Sequence, residues 1–419
     1  MSADSLPLQG MSDISDPEVC LWQHLETKAR SLFSLYGLDE VRTPILERTD
    51  VFQRALGEGT DVVQKEMYAF EDRGGRRIAL RPEGTAGVMR HLAGAGDRSS
   101  DARLFYWGPM FRAERPQAGR RRQFHQVGVE LLGPACPAAD AECIALQAHL
   151  LREWGLDGCV VRVNTRGASE DHAAVIQGLR DALQARLGDL CEDCRRRLDT
   201  NPLRVLDCKQ ETCRAQVETL PPVTFWMTES SRAYLKDVLR LLEQLEVPAV
   251  PSPCLVRGLD YYQHTIWEIT HDALGAQNAL SGGGRYGIHM GGRNLEGVGF
   301  AIGLERVVLA LIALGVQPES YRSRPSVWLV AAGKGMESDT LRLAQILRHN
   351  GVSCSADLSG RSVKVQMRSA NRAGVAWVVL NGESESARGT VILKNMSTGE
   401  QEELALASLP ARLGGVLRT

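Results

Sequence analysis

The chain has 419 residues, 43% of them apolar and 24% charged, which is too long for one ordinary core and too evenly mixed for a disordered or fibrous protein, so two or three domains are expected. Its formal net charge of −2 says nothing about nucleic acid by itself, although local charge is uneven. No apolar run reaches membrane-span length and the polar, acidic first residues do not read as a signal peptide, so no membrane partner is expected and cytoplasm is the default location. The ten cysteines lie at irregular spacings, which argues against a disulfide framework.

Residues 1–15 read as a loose arm. Asp16-Pro17-Glu18 opens a helix with a capping side chain, a proline in the first turn and an acid near the positive end. Trp22, Leu25, Ala29, Leu32 and Tyr36 recur at helical spacing, and Gly37 ends the run. A strand is expected over residues 41–46, with Pro44 placing it at an edge or an interface. Arg81-Pro82-Glu83-Gly84-Thr85 and Phe111-Arg112-Ala113-Glu114-Arg115-Pro116 then bring a carboxylate, a hydroxyl and an arginine onto neighbouring strand ends. Such a set suits a zwitterionic amino acid lying beside a phosphate.

Residues 103–112 and 123–131 read as two strands joined by a loop that holds Arg115, Arg120, Arg121 and Arg122. Alternation puts Phe124, Gln126, Gly128 and Glu130 on one face of the second strand. The missing side chain at Gly128 leaves room for something to lie on the sheet, where Gln126, Glu130 and Arg112 could bind it. An exposed polar strand face with a solvated basic turn is the plainer alternative. Residues 168–250 turn helical and charged, with a cysteine cluster, and read as an inserted domain.

Strand texture returns over residues 255–269. There Arg257-Gly258-Leu259-Asp260-Tyr261-Tyr262 suits a small polar ligand, or else an aromatic strand with a structural Arg–Asp pair. Ser281-Gly282-Gly283-Gly284-Arg285-Tyr286 reads as a turn, or as a close approach of backbone to ligand. Over residues 297–306 a glycine-punctuated strand enters an apolar helix with Arg306 in its first turn; no Gly-Lys-Ser/Thr follows, so this is not a P-loop. After a linker at about 315–325 come strand 326–331, helix 338–349, strand 352–356, helix 360–374 and strand 376–380, a small α/β domain with a mostly parallel sheet. Arg361, Lys364, Arg368 and Arg372 form one basic helix face, with no acid between Asp357 and Glu383, in a segment (326–419) with 11 Lys/Arg against 8 Asp/Glu.

Together these residues resemble the class II aminoacyl-tRNA synthetases, specifically the histidyl-tRNA synthetase family, over nearly the whole chain. The helix and Pro44 segment resemble the dimer-forming motif 1, the Arg112 hairpin motif 2, and Gly299 to Arg306 motif 3. Arg257 to Tyr262 and Ser281 to Tyr286 resemble the two histidine-specific signatures that other class II members lack. The resemblance implies an α/β protein whose α+β catalytic domain is an antiparallel sheet flanked by helices. That domain would comprise residues 1–167 (motifs 1 and 2) and 251–320 (histidine signatures and motif 3), with a helical insertion at 168–250 and a C-terminal α/β anticodon-binding domain at 326–419.

The implied activity is ATP-dependent ligation of L-histidine to tRNA(His) through a histidyl-adenylate, with Mg²⁺, by a homodimer. Carried over by position, Glu83, Gly84, Thr85, Gln126, Glu130, Tyr261 and Tyr262 would bind histidine. Of these, Glu83, Thr85 and Gln126 would hold its α-amino group, and Glu130 and Tyr262 would read the imidazole. Arg112 and Arg257 would be the catalytic arginines on the α-phosphate, with Glu114 also on ATP and Arg306 at its far end. Arg115 and Gln117 would face the terminal bases of tRNA, and Arg361, Lys364, Arg368 and Arg372 the anticodon arm.

The chain departs from the family at Gly287-Ile288-His289, where Asp-Gly-Leu is usual, in a stretch before Gly299 that is a few residues short, and at Gln9-Gly10, where Arg-Gly is usual. Cys191, Cys194, Cys208 and Cys213 give C-x2-C-x13-C-x4-C, which would suit tetrahedral Zn²⁺. Family members often lack some of these cysteines, so they are read as reduced thiols and no zinc is assigned. The competing class is a synthetase-like regulator that binds histidine and controls a histidine-biosynthetic enzyme. Such chains typically lose the Glu83 and Arg257 signatures and the C-terminal domain, all of which this chain keeps. A pure RNA-binding module would leave Glu83 and Glu130 unexplained.

Overall fold

The structure is a computed structural model that describes residues 6–96, 101–117, 119–275, 277–321 and 325–416. Parts of the N-terminal arm, the arginine loop, the linker and the C-terminal end therefore lie outside the described residues. Two compact units emerge, residues 1–321 and 322–419.

The first unit is built on an eight-stranded sheet. Its strands follow the order Asp39–Glu40, Arg103–Phe111, Gln123–Leu132, Arg293–Gly303, Ala279–Met290, Tyr262–Thr270, Val160–Thr165 and Ala249–Pro251. Pairing is antiparallel except at the two edges. Period-2 alternation sorts the side chains. Val127, Val129, Val298, Phe300 and Ile302 join the core under helices Glu18–Leu35, Pro137–Glu153 and Leu304–Ala313. The residues between them face the other side, where helices Thr49–Leu56 and Thr85–Ala93 close a second core around Tyr106 and Tyr286.

Several local expectations are corrected. Helix Glu18–Leu35 forms, but Pro17 is its N-cap and no side chain caps it; Asp16 accepts from the Cys20 thiol instead. Residues 41–45 are not a strand. They join Asp39–Glu40 to Leu46–Arg48, because Pro44 has no N–H to offer a ladder. Gly282-Gly283-Gly284 is not a turn but the middle of the long strand Ala279–Met290. Conversely, residues 255–261 are a loop, and the strand begins at Tyr262.

The shortened stretch before Gly299 closes as a tight hairpin. Met290 pairs with Arg293, and the two linking glycines, Gly291 and Gly292, take φ of 59° and 77°, the positive values that a two-residue primed turn requires. Register is thereby kept from Tyr286↔Gly297 to Ser281↔Ile302. Gly10, beside the altered Gln9, accepts the Arg122 backbone N–H at 2.7 Å and so ties the N-terminal arm to the arginine loop.

Within the helical insertion, a separate small core runs from Val175 to Met227. Its last helix, Glu229–Gln244, instead sends Val238 and Leu242 into the main core.

The second unit holds strands Val327–Ala332, Cys354–Asp357 and Trp377–Gly382 in parallel, with helices Glu337–His349 and Val363–Ala373 between them. An antiparallel hairpin, Thr390–Asn395 with Gln401–Ala405, lies beyond the elements expected from sequence and makes the sheet mixed rather than mostly parallel. Arg361 precedes the helix and is tied to Asp357, so the expected four-residue basic face is reduced to exposed Lys364, Arg368 and Arg372.

Candidate active site

A cavity of about 690 Å³ opens on the sheet face opposite the main core. Ten of the residues named from sequence line it: Glu83, Thr85, Arg112, Glu114, Gln126, Glu130, Arg257, Tyr261, Tyr262 and Arg306. Gly84 stands behind the wall, packed against the ring of Tyr106. Arg115 and Gln117 lie outside the cavity on the exposed loop, where Gln117 accepts from Gln277.

The acidic end is built by helix Thr85–Ala93. Both Glu83 carboxylate oxygens accept backbone N–H groups of its first turn, from Thr85 and Ala86, each at 2.8 Å. The Thr85 hydroxyl is left to donate to Glu130 Oε1 at 2.7 Å, while the Tyr286 hydroxyl donates to Glu130 Oε2 at 2.8 Å. Glu130 is 1% exposed. Burial pushes its carboxyl up to about 8, the two hydroxyls oppose that rise, and the nearby Glu83 charge adds to it. Burial also raises the Glu83 carboxyl, against its two backbone donors.

Glycines make the space for these groups. A Cβ at Gly299 would stand 2.1 Å from Glu130 Oε2, and one at Gly282 would stand 2.3 Å from the Arg257 guanidinium, so each lets a charged side chain cross the neighbouring strand. Gly128 serves a different purpose from the one expected. The space over it is filled by Tyr106 from the paired strand, whose ring carbon would lie 2.2 Å from a Cβ there.

The basic end faces the acids. Arg112 donates to the Pro82 carbonyl at 2.9 Å and stacks over Phe124. Arg257 donates to Glu268 at 3.2 Å. Glu114 stands between Arg112 and Arg120, at 3.9 and 3.6 Å. Arg306 donates to the Gln277 carbonyl, and its guanidinium is held below its ordinary value by burial and by the Arg120 charge.

Donors and acceptors without partners concentrate here. Gln126 Oε1, Arg257 Nε, Gln277 Oε1, Ser281 Oγ and Arg306 Nε are five of the twelve buried side-chain polar atoms that lack a hydrogen bond among the described residues, and all five belong to residues lining the cavity. Buried polar groups rarely go unpaired, so this cluster marks a place shaped for a polar ligand with an anionic end.

Sequence reasoning missed Glu268, as well as Arg204, Asp207 and Lys209, which reach the cavity from the insertion. Nothing in their local pattern signals this, because their approach depends on a chain crossing. It also placed Arg285 in the ligand signature, whereas Arg285 turns away. It is 1% exposed, paired with Asp140 at 2.7 Å, and a structural ion pair.

The Histidyl-tRNA synthetase family model matches residues 10–307, and the Anticodon binding domain model matches residues 326–414. A histidine–tRNA ligase of Halothermothrix orenii is 44% identical over 406 residues, covering 96% of this chain and 97% of that protein. The solved structure of apo histidyl-tRNA synthetase from S. aureus matches with a TM-score of 0.81 at 33% identity, covering 97% of this chain and 99% of its own. A Bacillus halodurans structure described as an ATP phosphoribosyltransferase regulatory subunit/histidyl-tRNA synthetase matches with a TM-score of 0.66 at 22% identity, covering 88% and 97%, which shows likeness of fold alone. On the span of the family model and the identity to its curated relatives, the chain belongs to the histidyl-tRNA synthetase family.

Proposed function

We propose that the chain joins L-histidine to tRNA(His) in two steps at this cavity. In the first, a histidine carboxylate oxygen attacks the α-phosphorus of ATP, the bond to the β-phosphate oxygen breaks, and pyrophosphate leaves. In the second, the 3′-terminal ribose hydroxyl of tRNA attacks the adenylate's carbonyl and AMP leaves. The carrying observation is the pairing of a buried acidic end with arginines whose buried N–H groups lack partners. A regulator that only senses histidine needs the acids but has no use for Arg112, Arg257 and Arg306 lining the same cavity. Histidine-dependent ATP–pyrophosphate exchange on the purified chain, followed by charging of tRNA(His), tests the reading; exchange stimulated equally by other amino acids would sink it.

Glu83, Thr85 and Gln126 take the α-ammonium group, and Glu130 with Tyr262 takes the imidazole. Tyr261 packs edge-on against Tyr262 and fixes its ring. Arg112 and Arg257 meet the α-phosphate, where preorganised positive charge favours the transition state over the ground state. Arg306 meets the far phosphates, and Arg115 and Gln117 the acceptor end of tRNA. Glu114 and Glu268 present part-exposed carboxylates to the cavity, the hard oxygen donors that Mg²⁺ prefers, and would hold the ion. Bound there, Mg²⁺ supplies charge neutralisation on the phosphates.

The Glu130 carboxyl at about 8 gives a pH signature. A free imidazole titrates near 6.5. Between about 6.5 and 8 the empty site brings one proton, histidine's imidazole brings none, and the complex keeps that proton between carboxylate and imidazole. Binding then neither takes up nor releases protons, so KM for histidine is flat. Above 8 Glu130 has already lost its proton and binding must take one up, so KM rises roughly tenfold per pH unit. Steady-state exchange across pH 6–9.5 checks this, and Glu130→Gln should remove the limb above 8.

A homodimer is part of the reading. The apolar stripe of helix Glu18–Leu35 is covered within the chain and does not by itself call for a partner. A further reason lies elsewhere. Leu46 and Phe70, on the small sheet of Leu46–Arg48, Arg77–Leu80 and Ala69–Glu71, are 45% and 47% exposed and share a face with Ile78 and Leu80. An isologous interface would cover that face. Light scattering should give twice the chain mass, and Leu46→Glu with Phe70→Glu should shift it toward the monomer. Among the described residues no helix is long and apolar enough to cross a membrane. The cytoplasm, where ribosomes draw charged tRNA, is the proposed location.

A further inference from the structure

We propose that Cys191, Cys194, Cys208 and Cys213 form a structural Zn²⁺ site that fixes the helical insertion and the loop it sends to the cavity mouth. This departs from the reading of the same cysteines as unconnected reduced thiols. Their four sulfurs all lie within 4.8 Å of one another, and three of the residues are buried. Tetrahedral Zn–S bonds near 2.3 Å set the sulfurs roughly 3.8 Å apart; Cys191 and Cys208 Sγ are 3.9 Å apart. All four are free of disulfides. Two disulfides would draw sulfurs together in separate pairs at about 2.05 Å rather than gather four around one point.

The local folding suits thiolates. Cys191 is the N-cap of helix Glu192–Thr200, whose first turn carries Cys194. Cys213 lies in the first turn of helix Glu211–Glu218. Two helix N-termini thus point partial positive charge at the cluster, and the Cys191 backbone N–H donates to Cys213 Sγ at 3.1 Å. Such N–H···S bonds spread the double negative charge of a tetrathiolate zinc centre.

The insertion also needs a staple. Its own core runs only from Val175 to Met227 and includes Cys194, Cys208 and Cys213 themselves. A core that small buries too little apolar surface to hold firmly alone. The loop closed by Cys194 and Cys208 carries Arg204, which reaches Asp61 at 3.7 Å, and the same segment brings Asp207 and Lys209 to the cavity. The metal would therefore order part of the cavity rim without touching substrate.

The test is the metal content of the full chain, purified without chelators or an affinity tag that binds metal. The expected result is about one zinc per chain by elemental analysis, with these four thiols protected from alkylation while exposed Cys136 and Cys254 react. Adding Co²⁺ to chelated protein should give the intense visible bands of tetrahedral thiolate coordination, and chelation should lower Tm and open residues 201–210 to proteolysis. Cys208→Ser should lose most of the zinc. If that variant is insoluble, the wild-type metal content and alkylation pattern still decide. Zinc-free protein that gives no Co²⁺–thiolate bands overturns the proposal, as do disulfides among the four by mass spectrometry. Bound iron in place of zinc, or zinc retained in soluble Cys208→Ser, would do so as well.

Discussion

Glu130→Ala is expected to lower kcat/KM for histidine in ATP–pyrophosphate exchange by about thirtyfold to a thousandfold, the equivalent of about 2–4 kcal/mol for a charged hydrogen-bond partner lost from a desolvated site. The carboxylate is 1% exposed and accepts from Thr85 and Tyr286 on its two oxygens. Those bonds occupy two of about four lone-pair positions and leave room for an imidazole N–H. Without the carboxylate, the imidazole and both hydroxyls lose their acceptor together. Gly299→Ala should act in the same direction, since its methyl group would collide with Glu130 Oε2.

Stability separates this from a folding defect. A carboxyl whose folded pKa is raised to about 8 gives its full stabilising contribution below its unfolded value, and that contribution is lost progressively as pH climbs from there through 8. At pH 9 the ionised, buried Glu130 works against the fold. Glu130→Gln should therefore match or exceed the wild-type Tm at pH 9 while activating histidine poorly, a trade of stability for function. A kcat/KM within threefold of wild type would remove Glu130 from the histidine site.

What the sequence disclosed followed local pattern. The helix at Glu18, the Arg103–Leu132 hairpin and the first five elements of the C-terminal unit were legible because apolar residues repeat at 3.6 or 2. The cavity residues were legible because several are polar groups at strand positions that alternation turns to one face. What failed was long-range. Three consecutive glycines look like a turn until Arg257, from a loop, and Tyr262, from a neighbouring strand, are seen to need the space. Arg285 sits in a signature of ligand residues, yet its partner Asp140 lies on a helix 145 positions earlier in the chain. Gly128 was recognised as a vacancy, but its occupant is Tyr106 rather than a ligand. The cysteine spacing was visible, while the convergence of its two halves depends on how helices Glu192–Thr200 and Glu211–Glu218 pack.

Removing residues 322–419 should leave histidine activation largely intact and reduce charging of tRNA(His) by orders of magnitude. Every residue proposed to bind ATP or histidine lies in the first compact unit, at or before Arg306. The deleted unit has hydrophobic cores of its own. With it go Lys364, Arg368 and Arg372, which are exposed on helix Val363–Ala373 and have no acidic partner within ion-pair distance among the described residues. Arg361 differs, because Asp357 already neutralises it. In the full chain, alanine at the three free positions should weaken tRNA binding and flatten its salt dependence. The log–log slope falls by roughly 0.7–0.9 for every phosphate that is no longer neutralised. Adding Arg361→Ala should change the slope by less than any of the three. If the truncated chain charges tRNA as well as the full one, the basic face is only solvated surface. If the full chain activates histidine yet charges no tRNA, the synthetase-like regulator becomes the better reading, and the altered segment at Gly287 and Gln9 is where the tRNA fit has been lost.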